Sequence, residues 1–250
     1  MKIMDLQPLK TATRKRFPFL VPLIGPIFIA LRDWRLKFIT WQRRYDEYGL
    51  MAEASCAFIS DERYTKSRDA AIKECKQLPP TGGDWRLYVG CWAAEHALKL
   101  EGDFVECGVD RGLLSRTIAG YLDFSRVNKK FYLIDSFGVM KGYTDTHEEV
   151  KSVFSNFKNI SVIKGSVPQI LKTLPETKFA YVCIDMNSPE PEIAAANFFW
   201  DKMPSGAIML FDDYGIPGRE PQHDAFDAWA KTKNVSVLSL PTTQGLVIKP

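Results

Sequence analysis

The sequence predicts an α/β protein with a sheet of seven strands, the last one antiparallel, and an N-terminal helical extension. After the segment EGD at 101–103, short apolar runs alternate with amphipathic stretches, which is typical of β-α-β units on a parallel sheet. Only six residues, SLPTTQ at 239–244, separate the last two apolar runs. Because a parallel return needs a dozen residues or more, the final strand is expected to run antiparallel.

Each predicted element follows from its hydrophobic period. The predicted strands are the short apolar runs, at 104–109, 130–135, 160–164, 179–185, 207–212, 235–238 and 245–248. The predicted helices of the sheet domain are the amphipathic stretches between them, at 113–122, 147–157, 167–174, 191–202 and 221–231. Upstream, the apolar spacing predicts helices over 34–77 and 86–100, and LPPTGGDW at 78–85 has the composition of a linker.

Length and charge limit the classes of protein. A chain of 250 residues suits one α/β domain with an appendage, and we expect an extension at 1–78 and a catalytic domain at 79–250. The net charge of +3 is small and the basic residues are scattered apart from one N-terminal cluster, so no nucleic-acid partner is expected. The five cysteines form no CxxC pair, which predicts buried thiols in a reducing, cytoplasmic compartment.

The N-terminus combines basic residues with an apolar run. Lysine and arginine residues at 10–16 precede fifteen uncharged residues at 17–31, which contain three prolines. This run is too short and too often interrupted for a spanning helix. Three interpretations stay open: packing on the same domain or a second subunit, peripheral membrane contact through residues 10–31, and a secretion signal. We also expect a homo-oligomer.

Acidic residues gather where the predicted strands end. Asp135 ends the second strand, Asp185 the fourth, and the adjacent Asp212 and Asp213 the fifth, while Glu106 lies in the first. Each acid alone could cap the next helix. Because the carboxyl ends of parallel strands share one edge of the sheet, the acids together indicate a bound ligand or cation. An all-oxygen set of this kind suits Mg²⁺.

The first two strands also carry features of a nucleoside site. The segment ECGVDRG contains Gly108, which allows a ligand to approach the backbone closely, and it leads into a helix N-terminus. Asp135 can accept hydrogen bonds from both hydroxyls of a ribose. After the third strand, the turn GSVPQ can lie against an adenine ring.

Five β-α units closed by an antiparallel hairpin form the sheet of class I methyltransferases. The segments GDFVECGVDRG, YLIDSF, CIDMNSPEPEIAAANFFWDKMPSGAIMLFDDYG and PQHDAFDAW resemble the macrocin O-methyltransferase family of S-adenosylmethionine-dependent enzymes, over about residues 61–249. The resemblance implies methyl transfer to a hydroxyl of a small, sugar-containing metabolite, with a divalent cation such as Mg²⁺. The residues that it implies for the metal are Asp185, Asp212 and Asp213. Those that it implies for S-adenosylmethionine are Glu106, Gly108, Asp135, Ser136, Asp185 and Ser166, the last near the adenine.

The sequence departs from the family at the general base. Relatives can carry a second acid two positions after the first metal ligand, and here that position is Asn187, whose amide cannot take a proton at neutral pH. His223 follows Asp213 by ten residues on the same sheet edge, and its ordinary pKa suits a base. The predicted catalytic residues are therefore His223 and Asp185.

Two other classes of function stay open beside the methyltransferase. The first is another nucleotide-dependent small-molecule enzyme that shares only the acids at the strand ends. The second is a non-catalytic scaffold in glycan or secondary-metabolite assembly, which would agree with the absence of the expected base. Binding and turnover of S-adenosylmethionine distinguish the three.

Overall fold

The computed structural model describes residues 45–47, 49–52, 55–80, 82–138 and 144–250. The basic and apolar segment at 10–31, on which the membrane and packing predictions depend, lies outside these residues. The chain divides into two compact units, one of Met1–Asp46 and Met51–Ser55, the other of Glu47–Leu50 and Cys56–Pro250. Within the described ranges, no helix combines the length and the apolar character needed to cross a membrane.

The stretch predicted as helical over 34–77 is only partly so. Tyr45–Glu47 (β1) and Leu50–Ala52 (β2) form a two-stranded sheet, so the helix prediction is wrong there. Gly49 lies between the two strands with φ +82°, a left-handed turn conformation that glycine adopts at little cost and a helix does not contain. The helix expected later in this stretch is present as Glu62–Cys75 (α1).

The second unit contains a seven-stranded sheet and its helices. The strands are Asp103–Cys107 (β3), Phe131–Asp135 (β4), Ile160–Lys164 (β5), Phe179–Ile184 (β6), Ile208–Phe211 (β7), Leu238–Ser239 (β8) and Gly245–Ile248 (β9). The helices that follow α1 are Gly83–Ala97 (α2), Leu113–Tyr121 (α3), His147–Val153 (α4), Pro189–Trp200 (α5) and Glu220–Thr232 (α6). Short 3-10 turns occupy Ala57–Ser60, Phe124–Arg126 and Gln169–Thr173.

The sheet has the strand order β5-β4-β3-β6-β7-β9-β8. Strands β3 to β7 pair in parallel, and β9 pairs antiparallel with both β7 and β8. The predicted antiparallel return is therefore confirmed, and with it the α/β Rossmann-like fold of class I methyltransferases. The strand order reverses between β3 and β6, the point at which open α/β sheets bind their ligands.

Aromatic side chains hold the helices to the sheet. On one face, the ring of Phe211 from β7 stacks on Phe226 of α6 with centroids 3.8 Å apart, and Trp229 packs edge-on against Trp200 of α5 at 5.1 Å. Burial of each such side chain contributes about 1.5–3 kcal/mol. Because all six residues of β6 are buried, this strand is continuously apolar and shows no alternation in the sequence.

The strand predicted at 235–238 is the short β8, Leu238–Ser239, and the helix predicted at 147–157 ends at Val153. Two further boundaries differ from the prediction for local reasons. Helix α2 begins at Gly83, inside the stretch predicted as a linker. The helix predicted at 167–174 is a 3-10 turn, Gln169–Thr173, after which Leu174 has an extended backbone with ψ 148°. Pro175 follows Leu174, and a residue before proline is driven out of the helical region.

The prediction of buried thiols is confirmed. All five cysteines are free and buried, at Cys56, Cys75, Cys91, Cys107 and Cys183. Burial raises the pKa of Cys75 to about 12, so its thiol stays protonated and unreactive. These cysteines therefore pack as small apolar side chains.

Candidate active site

The sheet register places the ends of the central strands side by side. The backbone N–H of Asp185 donates to Cys107 O at 2.7 Å, and that of Asp212 donates to Ile184 O at 3.0 Å. The residues that follow β3, β6 and β7 therefore lie next to one another at the carboxyl edge. In the same way, the backbone N–H of Gly108 donates to Ile134 O of β4 at 2.8 Å.

Three carboxylates meet at this edge, and we call Asp185, Asp212 and Asp213 the acid cluster. One oxygen of each lies within 4.8 Å of one oxygen of the others. The side chains are withdrawn from water, with Asp212 only 6% and Asp213 only 9% exposed. The structure thus brings together the three residues predicted to bind a metal. Buried like charges at this spacing require positive charge nearby.

Arg86 of α2 supplies part of that charge. Its guanidinium is 3% exposed and donates from Nε to Asp212 Oδ1 at 3.0 Å. Its Nη2 donates both to the second oxygen of Asp212 and to Asp213 Oδ1, the latter at 2.8 Å. Gln244 donates to Asp212 Oδ1 at 3.0 Å, and Arg219 Nε lies 3.5 Å from Asp213 Oδ2. Asp212 and Asp213 are therefore already hydrogen-bonded or ion-paired with protein donors.

Sequence reasoning missed Arg86 and Gln244. Arg86 stands in the stretch WRLYVGCWAA, whose other residues are apolar or small. A charged side chain in such surroundings is almost never fully buried without a partner, so the stretch did carry a signal for a buried ion pair. Its partner lies 126 residues further along the chain, and local pattern does not identify it.

The carboxyl groups of the acid cluster differ in their affinity for protons. Burial raises the pKa of Asp185 well above its usual range, and the neighbouring Asp212 and Asp213 raise it further. Burial acts in the same direction on Asp212, but the Arg86 guanidinium and its hydrogen bonds outweigh it, so the pKa of Asp212 is lowered. Asp212 is therefore held ionised in an ion pair with Arg86.

The acid cluster opens into a cavity of about 470 Å³ at the point where the strand order reverses. This volume is within the usual range for small-molecule sites. All residues predicted to contact the cofactor line this cavity, namely Glu106, Gly108, Asp135, Ser136, Ser166 and Asp185. Arg86, Asp212 and Asp213 line it as well, so one space serves both groups of residues.

Asp135 organises the backbone at the start of the cavity. Its Oδ2 accepts from the N–H of Val109 at 2.6 Å and of Asp110 at 2.9 Å, and its Oδ1 accepts from Phe137 N at 2.7 Å. An ionised carboxylate offers about four acceptor positions, so three bonds to backbone leave capacity for a ligand hydroxyl. The residue thus combines a capping role with a place in the cavity wall.

Glu106 is buried beneath the cavity floor. It is 3% exposed and accepts a hydrogen bond from the hydroxyl of Ser115. Burial raises the pKa of Glu106 well above its ordinary value, with further contributions from Asp212 and Asp135. The folded protein therefore keeps a proton on Glu106 at pH values where the unfolded chain has released it.

This shift predicts a pH dependence of stability. Because the unfolded state binds fewer protons than the native state above the ordinary pKa of 4.5, the free energy of unfolding falls as pH rises toward the raised value, by at most about 1.4 kcal/mol per unit for one proton. Glu106→Gln removes the titration, and urea unfolding from pH 5 to 8 should give a flatter profile than the wild type. Parallel profiles would contradict this assignment.

The structure does not bring His223 to the cavity. The side chain lies in the first turn of α6, is 42% exposed, and has Nδ1 3.1 Å from Asp224 Oδ1. Its ring packs against Tyr214 at a centroid distance of 4.5 Å. Asn187, by contrast, lines the cavity. A catalytic role for His223 stays a prediction.

Comparison with known proteins identifies the domain. Residues 105–214 match the family model described as a methyltransferase domain. Together with the sheet topology, this match confirms the predicted enzyme class, that of an S-adenosylmethionine-dependent methyltransferase. A comparison with curated protein sequences finds no match.

Solved structures share the fold at low sequence identity. The O-methyltransferase NovP is 22% identical with a TM-score of 0.56, over 67% of this chain and 80% of NovP. CalS11, a TDP-rhamnose 3'-O-methyltransferase of calicheamicin biosynthesis, is 18% identical with a TM-score of 0.53, over 75% of this chain and 95% of CalS11. The O-methyltransferase TomG from Streptomyces achromogenes, in complex with S-adenosylmethionine, is 15% identical with a TM-score of 0.53, over 76% of this chain and 91% of TomG.

Proposed function

Starting from this methyltransferase domain, we propose that the protein transfers the methyl group of S-adenosylmethionine to a hydroxyl of a small, sugar-containing molecule. A divalent cation such as Mg²⁺, held by Asp185, Asp212 and Asp213, belongs to the proposal. The observation that carries it is the single cavity that the acid cluster shares with the residues predicted for the cofactor. The sequence segments that resemble the macrocin O-methyltransferase family also support the proposal.

The cofactor half of the proposal depends on β3 and β4. The turn after β3 lines the cavity at Gly108, which has φ +90° and packs directly against the backbone of Asp185. The one acceptor position left on Asp135 would take a hydrogen bond from the ribose diol, and Ser136 and Ser166 offer hydroxyls along the same wall. These groups would hold S-adenosylmethionine in the cavity that the acid cluster also lines.

The donor set of the acid cluster fits a small divalent cation. Oxygens bound to one Mg²⁺ at about 2.1 Å lie within about 4.2 Å of one another, close to the 4.8 Å within which the three carboxylate oxygens now lie. All three donors are hard oxygen ligands, which Mg²⁺ prefers. When bound, the cation supplies a Lewis acid that lowers the pKa of a substrate hydroxyl.

The chain's own residues then have three tasks in methyl transfer. They hold the hydroxyl in line with the methyl group, since alignment of reacting groups lowers the barrier. They exclude water from the cavity and accept one proton. Polar side chains next to the acid cluster, Asn187 and Ser188, line the cavity and can hydrogen-bond an acceptor with several hydroxyls. That CalS11 is named for a sugar nucleotide supports a sugar-containing acceptor.

A mass-shift screen tests the function. The full chain is incubated with S-adenosylmethionine, Mg²⁺ and a panel of hydroxylated metabolites that includes nucleotide sugars, aminosugars and catechols. We expect one added methyl group on a sugar-containing acceptor and formation of S-adenosylhomocysteine. Methylation of catechols alone would overturn the sugar assignment. Cofactor binding without turnover on any acceptor would favour a scaffold, and absence of cofactor binding would favour another nucleotide-dependent enzyme.

Asp135→Ala tests the cofactor site. Loss of a charge-assisted hydrogen bond of about 1.5–3 kcal/mol should weaken S-adenosylmethionine binding by about ten- to a hundredfold, measured by calorimetry. Asp103→Ala is the matched control. Asp103 also accepts a backbone N–H, from Lys130 at 2.8 Å, but it lies at the opposite end of β3. Equal affinity in both variants would move the cofactor elsewhere.

His223→Ala tests the predicted base. If His223 takes the proton through water, the chemical step should slow by about 10²–10⁴-fold while S-adenosylmethionine affinity stays that of the wild type. The acidic limb of the pH–rate profile should also disappear. An unchanged rate and profile in single-turnover measurements would assign the proton to solvent or to a group at the acid cluster.

A further inference from the structure

Arg86 and a divalent cation would both bind carboxylate oxygens of Asp212 and Asp213. Resting on the cation site of the proposed function, we propose that Arg86 is the resident counter-cation of the acid cluster and competes with a divalent metal for Asp212 and Asp213. Arg86 thereby lowers the affinity of the site for metal. Arg86 lies outside the residues matched by the methyltransferase family model, 105–214, and neither the domain match nor the acid cluster alone suggests this role.

Protein donors already occupy acceptor positions on the carboxylate of Asp212. A carboxylate oxygen has two lone pairs. Asp212 Oδ1 already accepts from Arg86 Nε and from Gln244 Nε2, each at 3.0 Å. Its other oxygen accepts from Arg86 Nη2, which also reaches Asp213 Oδ1 at 2.8 Å. The Oδ1 atom of Asp212 therefore has both lone pairs occupied, and a metal bound to Oδ2 would share that oxygen with Arg86 Nη2.

The positive charge at the acid cluster also opposes metal binding. The three carboxylates carry at most three negative charges, and Arg86 with Arg219 brings two positive charges to Asp212 and Asp213. A divalent ion at the same oxygens would raise the positive charge to four. Because the site is withdrawn from water, repulsion between the guanidinium and the metal is screened less than at a surface. Removing Arg86 therefore leaves negative charge that a metal can neutralise.

The side chain of Arg86 is fixed in place and cannot move away from the carboxylates. Its guanidinium is 3% exposed, and Nη1 donates to Thr243 Oγ1 at 2.8 Å. The side chain is thus held between the acid cluster and the turn before β9. Metal binding has to proceed against a fixed positive charge, and the competition is a property of the folded site.

The test measures metal binding directly and needs no substrate. Mn²⁺ is titrated by calorimetry into the wild type, Arg86→Met and Arg86→Lys. We expect Arg86→Met to bind Mn²⁺ about tenfold more tightly than the wild type or better, the scale on which neighbouring groups change metal affinity. Arg86→Lys should fall between them, because lysine keeps the charge but loses the forked geometry.

Arg116→Met is the matched control. Arg116 also forms a forked pair with one carboxylate, Glu74, at 2.7 and 2.8 Å, and its side chain is 12% exposed. It does not belong to the acid cluster, so its loss should leave Mn²⁺ affinity unchanged. The melting temperature gives a second measurement, since a ligand that binds the folded state stabilises it. Mn²⁺ should raise the melting temperature more in Arg86→Met than in either the wild type or Arg116→Met.

The outcomes separate this inference from the proposed function. Equal or weaker Mn²⁺ binding in both Arg86 variants would overturn the competition and make Arg86 a support of the metal site. If Arg86→Met does not fold, the Mn²⁺ affinity of Arg86→Lys is compared with that of the wild type instead. Absence of Mn²⁺ binding in every variant would overturn both the cation site and the competition. Affinity for S-adenosylmethionine, measured on the same samples, reports on the cofactor half independently.

Discussion

Gly108→Ala is expected to abolish cofactor binding and to destabilise the fold by more than about 4 kcal/mol, the range reserved for severe steric and packing faults. An alanine Cβ at this position would lie 1.6 Å from the carbonyl oxygen of Asp185 and 2.4 Å from its carbonyl carbon. These are backbone atoms at the end of β6. They cannot retreat without breaking the bond from Asp185 N to Cys107 O, 2.7 Å long, that aligns β6 with β3.

Gly218→Ala is a control matched in backbone conformation. Gly218 has φ +87°, against +90° for Gly108, and an added Cβ at Gly218 would meet no atom within 4 Å. Its substitution should therefore cost only the conformational strain, about 1–2 kcal/mol. Urea unfolding and calorimetry with S-adenosylmethionine on both variants measure the difference. Equal losses of stability would show that φ alone, and not the contact with Asp185, makes glycine necessary at 108.

The ends of the parallel strands could be predicted from the sequence. Parallel strands leave their last residues at one edge, and the apolar runs that end at Asp135, Asp185 and Asp212 mark those edges directly. The short connection at 239–244 fixed the direction of the last strand in the same way. Period and connection length are local properties, and they were sufficient to predict the sheet.

Arg86 shows what local properties do not contain. The segment WRLYVGCWAA has the period of a buried helix, and nothing within it tells which carboxylate faces its arginine. That information lies in the packing of α2 on the sheet, which brings Arg86 to Asp212 and Asp213. A similar limit applies to His223, because position after β7 predicts the sheet edge but not the direction of a side chain on α6.

Asp185→Asn is expected to remove methyl transfer and leave the fold intact. We expect turnover to fall by about 10³-fold or more, because the proposed Lewis acid would contribute several kcal/mol to catalysis and each 1.36 kcal/mol is a factor of ten. Asp185 suits this test better than Asp212, whose carboxylate forms the ion pair with Arg86. Asparagine at 212 would leave a buried guanidinium with a weaker partner, a change that destabilises proteins.

Stability should move in the opposite direction from activity. Asparagine at 185 keeps the shape of the side chain and removes a carboxyl group whose pKa is raised by burial and by Asp212 and Asp213, so the folded state no longer has to accommodate a carboxylate that it disfavours. The free energy of unfolding without metal should therefore equal or exceed that of the wild type. A variant that loses activity because it misfolds would have a lower free energy of unfolding than the wild type. Urea unfolding distinguishes these two outcomes.

Chelation completes the comparison. Excess chelator should reduce the wild type to the turnover of Asp185→Asn, while the variant itself should hardly respond, because the group that makes turnover depend on metal is already gone. Asp227→Asn is the control, since that carboxylate accepts a hydrogen bond from Tyr214 at 2.6 Å but does not belong to the acid cluster. It should keep both wild-type turnover and sensitivity to chelator. Full wild-type activity in chelator, with Asp185→Asn inactive, would contradict the metal and leave Arg86 as the cation that balances the acid cluster during transfer.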